Sequence, residues 1–184
     1  LNSLANSPEG ITIAGKTLIP PRTDPYARAL VRLQADHISR TLVPAFYRFL
    51  QAQDSDAQAS GAQEFAHALK HLASLLERAE REVAAKRGPG SGSGLWFEDG
   101  ELNWTDVMAG PCEFLSLFLS FFGCTVWDSR GIGLFRASNV LKHYRAFELP
   151  PESKIRAWLS RIVAHPAFKA TCSTEQLYLD SYER

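Results

Sequence analysis

The sequence predicts an all-α fold. Beyond residue 24, apolar residues recur three or four positions apart through most of the chain, the spacing that lines one face of a helix. Helix starts are marked by cap residues at Asp24-Pro25, at Asn103 with Asp106, and at Ser173 with Gln176. No segment after residue 20 alternates convincingly as a strand would.

At 184 residues the chain is long enough for one domain with a real core. Hydrophobic residues at 45% and charged residues at 22% place it among ordinary globular proteins. Its 20 basic and 20 acidic residues cancel, leaving no electrostatic footprint for nucleic acid or an anionic membrane. The longest apolar run, Phe114 to Val126, falls short of the ~20 residues that cross a bilayer. Cys112, Cys124 and Cys172 show no C-x-x-C spacing. That sparse, odd count fits a reducing cytoplasm, and no secretory signal opens the chain. Because it begins with Leu1, the chain is expected to be a piece or a processed form of a longer protein. Asn103-Trp-Thr105 formally matches a glycosylation sequon, but Asn103 reads as a helix cap.

Residues 1–24 carry Ser, Asn, Gly and Pro punctuation with apolar patches at Ile11–Ile13 and Leu18–Ile19. They read as an extended linker ending in Pro20-Pro21. Asp24 then caps a helix with Pro25 in its first turn, where a missing N–H and a fixed φ are favourable. Its apolar stripe runs through Ala29, Leu30, Leu33, His37, Ile38 and Leu42. Pro44 should kink this helix without ending it, because Phe46, Tyr47 and Leu50 continue the stripe. Residues 51–61 read as a polar loop. A second long helix follows over 62–87, with Phe65, Leu69, Leu72, Leu75, Leu76 and Val83 on one face. Glu77–Arg81 and Glu82–Lys86 are spaced as helical ion pairs. The two long helices should pack as an antiparallel hairpin.

Gly88–Gly94 is a flexible loop; it fits neither G-x-G-x-x-G nor a P-loop. Asn103 caps the next helix, Asp106 reaches back to close a capping box, and Leu102 with Val107 forms a hydrophobic staple. From Val107 to Phe122 only Glu113 is charged, so this helix should be buried on nearly every face. A loop over 123–133 holds Trp127 and Arg130. Helices then follow at 136–147, with Val140, Leu141, Tyr144 and Phe147 inward, and at 152–163, anchored by Ile155, Trp158, Leu159 and Ile162. His165-Pro166 breaks the chain, Ala167-Phe168 makes a short turn, and Ser173 with Gln176 opens a last helix through Leu177, Leu179 and Tyr182. As a cap residue alone, Asp106 is worth about 0.5–2 kcal/mol.

Three blocks in this order resemble the helical C-terminal domain of glutathione transferases. They are Asp24-Pro-Tyr-Ala-Arg-Ala-Leu-Val-Arg32, the capped Asn103-Trp-Thr-Asp106 with Pro111 one turn inside, and the run from Ile155 through Trp158 and His165-Pro166 to Thr171. The similarity extends from Lys16 to the end of the chain. Val43–Leu50 and Tyr178–Tyr182 look most like fungal omega-like members. The resemblance implies a helical bundle over 25–184, with the family's thioredoxin-like N-terminal domain absent and residues 1–24 as a linker or remnant. It further implies glutathione as a substrate held mainly by the missing domain, a small electrophilic or disulfide co-substrate, and glutathione-dependent thiol transfer, reduction or conjugation in the intact protein. This chain alone would be inactive and would bind glutathione negligibly. No metal, nucleic acid or membrane is implied, the setting is cytoplasmic, and a homodimer is the usual family assembly. The alternative is a non-catalytic protein-interaction module built on the same helical domain, and a third reading is a plain ligand carrier.

No catalytic residue is expected within this chain. By the resemblance, Tyr26 and Trp104 start helices that face the cleft and would form the apolar co-substrate wall. Arg28, Arg32 and Asp36, with Arg40 beyond them, form an i,i+4 row that would meet glutathione carboxylates or a polar co-substrate; the plain alternative is a solvated face with an Arg32–Asp36 pair. Cys172, just ahead of a helix start, is the one thiol whose pKa a helix N-terminus could lower. His67 and His71 lie one turn apart with Glu64 a turn earlier, a spacing that can hold zinc, but H-E-x-x-H and a nearby third ligand are lacking. Asp36, His37 and Ser39 point to different helix faces and make no triad. His37, within an apolar stripe, reads as a core or cleft histidine.

Overall fold

A computed structural model of the chain describes residues 12–13, 16–87, 94–110, 134–150, 153–170 and 175–180. Helix dominates them: α1 (Pro25–His37), α2 (Val43–Gln51), α3 (Ser55–Arg87), α4 (Trp104–Ala109), α5 (Leu134–Arg145), α6 (Lys154–Ala164), α7 (Pro166–Lys169) and α8 (Glu175–Asp180). Two short strands precede them. β1 (Thr12–Ile13) pairs antiparallel with β2 (Lys16–Thr17), with Thr12 opposite Thr17 and Ile13 opposite Lys16. The stretch read as an extended linker is anchored at its end. Leu18 and Ile19 are 4% and 2% exposed, and the Leu18 carbonyl accepts the Trp104 N–H at 2.8 Å. Two adjacent branched side chains gain more from burial than from water.

Asp24 caps α1 as expected: its Oδ1 accepts the Ala27 N–H at 3.0 Å. The helix continues past His37 into a π-helical turn, Ile38–Leu42, that leads straight into α2. Pro44 has no N–H, and its ring opposes the carbonyl of Arg40. The wider turn, in which the Val43 N–H reaches back to the Ile38 carbonyl, makes room for that ring. Beyond it, Ala45, Phe46 and Phe49 carry the buried stripe onward.

The expected loop over 51–61 is much shorter. Asp54 caps α3, accepting the Ala57 N–H at 2.7 Å, and the helix begins at Ser55. Gly61, the last residue of that expected loop, lies within α3 and is a packing residue. A Cβ there would stand 2.8 Å from Phe49 Cα, so α2 and α3 meet backbone to backbone. Gly61→Ala is therefore expected to lower stability by about 1–2 kcal/mol, overpacking outweighing a helix-propensity gain of about 1 kcal/mol. A urea midpoint at or above that of the unaltered chain would show that the two helices part without cost.

Phe65, Leu69, Leu72, Leu75 and Leu76 line the inner face of α3. Phe147 closes over them, its ring centroid 5.3 Å from Phe65 and 5.9 Å from Phe49. The end of α5 is tied to the end of α2. The Arg145 guanidinium donates to the carbonyls of Phe49 (3.3 Å), Leu50 and Ala52 (3.0 Å), groups that a helix C-terminus leaves without internal partners. Ala146 then takes a left-handed φ of 51°, and the Phe147 N–H returns to the Leu141 carbonyl at 3.2 Å, closing the end of the helix. Ala146 is exposed, so Ala146→Gly should relieve the backbone and raise stability by about 0.5–1 kcal/mol. A thermal midpoint no higher than before would contradict this.

In α6, capped by Ser153, the residues Ile155, Trp158, Leu159 and Ile162 are all buried, as expected. Phe168 of α7 fills the space beside Gly110, where a Cβ would come within 2.3 Å of its ring. Residues 111–122 of the expected core helix, the 123–133 loop, the three cysteines, Gly88–Ser93 and the Ser173 cap lie outside the described residues. Among the described residues, no helix is long and apolar enough to cross a membrane.

Candidate functional site

The centre of the described structure is the start of α4. Asn103 adopts an extended conformation and its side chain accepts the Asp106 N–H at 3.1 Å, while Asp106 Oδ2 accepts the Asn103 N–H at 2.8 Å. This is the capping box read from the sequence. Gly94 lies directly against it, with a φ of 110° and no room for a Cβ, which would sit 2.4 Å from Asn103 Nδ2.

The structure adds what spacing did not reveal. Asp106 Oδ2 also accepts the Leu95 N–H at 2.9 Å, and Oδ1 accepts the Trp158 indole N–H at 2.7 Å. One carboxylate thus joins α4, the 94–97 segment and α6. Arg161, one turn beyond Trp158, clamps the same segment by donating to the carbonyls of Leu95 (2.6 Å) and Trp96 (2.7 Å). Asp106 is 1% exposed. Burial pushes its pKa up to about 6, against the opposing pull of its three hydrogen bonds and the Arg161 charge.

A second buried polar link ties α1 to this centre. Thr105 Oγ1 donates to Gln34 Oε1 at 2.8 Å, and Gln34 Nε2 donates to the Leu75 carbonyl of α3 at 3.3 Å. Beside it lies a narrow crevice of about 30 Å³, lined by Leu30, Val31 and Gln34 of α1, Leu76 and Val83 of α3, and Trp96. It has room for about two water molecules. Its polar side chains are engaged in the contacts above, so the crevice is an apolar wall with no group poised to react.

Tyr26 is 39% exposed at the start of α1. Its hydroxyl bonds Glu82 and accepts from Arg78 at 3.1 Å, and Arg78 pairs with Glu82 at 2.9 Å on α3. Trp104 is half-buried and packs on the core. Neither lines the crevice. Arg28 donates to the Pro20 carbonyl at 3.0 Å; partial burial, then the nearby charges of Arg32 and Arg22, lower its pKa. Asp36 pairs with Arg40 at 2.8 Å. The row is thus split: the arginines gather at the start of α1, and Asp36 turns toward the other end.

Glu64 does not join His67 and His71. It pairs with Arg48 of α2, which lowers its pKa and raises that of Arg48. His71 instead meets His37 across the α1–α3 contact, with Nδ1 atoms 3.3 Å apart. Among the described residues no three His, Cys, Asp or Glu side chains converge as a metal cluster. The role of His37 as the partner of His71 was missed because only the packing of α1 on α3 brings them together.

No protein-family model matches the chain, and comparison with curated proteins finds no match.

Proposed function

We propose that this chain is the co-substrate-binding, C-terminal helical domain of an omega-like glutathione transferase, with transfer, reduction or conjugation of thiols as the activity of the intact protein. One observation carries the reading. The three blocks of resemblance, far apart in sequence, meet at one buried centre: Leu30 and Val31 of the first line the crevice that Asn103 and Asp106 of the second also line, and Trp158 of the third donates to Asp106. In the intact protein a thioredoxin-like domain would hold glutathione and supply the group acting on its thiol. This domain would shape the second pocket, with Tyr26 and Trp104 as an apolar wall outside the narrow crevice and Arg28 and Arg32 offering charge to the tripeptide or a polar co-substrate, while Asp36, paired with Arg40, stands apart from them.

Calorimetric titration of the full chain with glutathione, and then with a hydrophobic glutathione adduct, tests this. Silence with glutathione and saturable heat with the adduct are expected. Tight binding of glutathione alone would overturn the division of labour. Binding of neither would favour the interaction module.

A further inference from the structure

His37 and His71 are drawn from facing helices, and their contact has the geometry of a chelate. His37 is 7% exposed, and its Nε2 lies 2.9 Å from the Ala68 carbonyl. A carbonyl oxygen only accepts, so Nε2 carries the ring proton and Nδ1 keeps its lone pair. That lone pair faces His71, an exposed side chain, with the two Nδ1 atoms 3.3 Å apart and the rings at 88°. A tetrahedral zinc ion with Zn–N bonds of about 2.0–2.1 Å holds two nitrogens about 3.3–3.4 Å apart. A ligating histidine also usually donates its other N–H to a carbonyl or carboxylate, which fixes the ring and its tautomer. His37 already has that bond. We propose that His37 and His71 form a two-histidine site for a borderline divalent transition metal such as zinc, bridging α1 and α3.

One further feature suits the site. His71, exposed to solvent, frees its Nδ1 by shifting its proton to Nε2, so neither ring needs to lose a proton. With two protein ligands, the remaining positions fall to water or a small anion, and the ion is exchangeable.

The competing arrangement uses the α3 surface alone, with His67 and His71 one turn apart. Equilibrium dialysis of the full chain against Zn2+ separates the two, with His71→Ala, His37→Gln and His67→Ala variants checked for an unchanged helical spectrum. His143→Ala and Cys172→Ser variants control for binding elsewhere. One ion per chain is expected, weakened at least tenfold by His71→Ala and His37→Gln and unchanged by the other three. Loss on His67→Ala with retention on His37→Gln would overturn the interhelical pairing, as would wild-type binding by His71→Ala or no binding at all. Should His37→Gln unfold, side-chain nitrogen NMR of the unaltered chain replaces it: both Nδ1 resonances must shift with zinc, and an unmoved His37 signal overturns the site.

Discussion

Asp106→Ala should destabilise the protein by about 3–5 kcal/mol, well beyond the cost of a lost helix cap. The substitution strands three buried donors together: the N–H groups of Asn103 and Leu95 and the indole N–H of Trp158. Each buried unpaired donor costs about 1–3 kcal/mol. Some of that is recovered, because burial has already raised the cost of the Asp106 charge. Such a loss is a large fraction of the 5–15 kcal/mol typical of a folded domain. Urea denaturation of the two proteins side by side reads the difference. A loss of no more than about 2 kcal/mol would mean that only the cap matters and that the 94–97 segment and Trp158 find other partners.

The same residue shows where sequence reading succeeds and where it stops. Asn103 and Asp106 interact within a single turn, so their spacing announces their bond. Asp24 with Pro25 and the Ile155-Trp158-Leu159-Ile162 stripe were legible for the same reason, because local rules decide them. Gly61 was misread since its meaning lies in Phe49 on another helix. The π-helical turn before Pro44 could be expected as a kink but not as a type, because relief of the proline ring is available by more than one route. The links from Asp106 to Trp158, from Thr105 to Gln34 and from His37 to His71 join residues 52, 71 and 34 positions apart. Nothing in local pattern selects those pairs over other polar residues of the same helices. They appear only when the apolar stripes have fixed which helix faces which.

The second large effect concerns pH. In the folded protein the Asp106 carboxyl titrates at about 6, whereas in the unfolded chain it should titrate near the usual value of about 3.9. Between these values the folded state holds a proton that the unfolded state has released. Stability from this group is therefore complete below the unfolded pKa and is lost as pH rises through the folded one. At 1.36 kcal/mol per pKa unit, the whole loss is about 3 kcal/mol, of which about 2 kcal/mol falls between pH 4 and pH 7, because at pH 4 the unfolded carboxyl is itself about half protonated. Glu64, Glu80 and Glu148, whose pKa values are lowered overall by cationic partners, act in the opposite sense, adding stability above the unfolded carboxylate range and losing it as pH falls. The whole-protein curve mixes both trends. Asp106→Asn separates them, because the amide fits the same space without titrating. The unfolding free energy of the variant should rise relative to the unaltered chain as pH goes from 4 to 7, by about 2 kcal/mol whatever its absolute level. Parallel curves for the two proteins would place the Asp106 carboxyl at its ordinary pKa. The three N–H groups would then offset its burial fully, and ionisation at the start of α4 would neither add to nor subtract from stability.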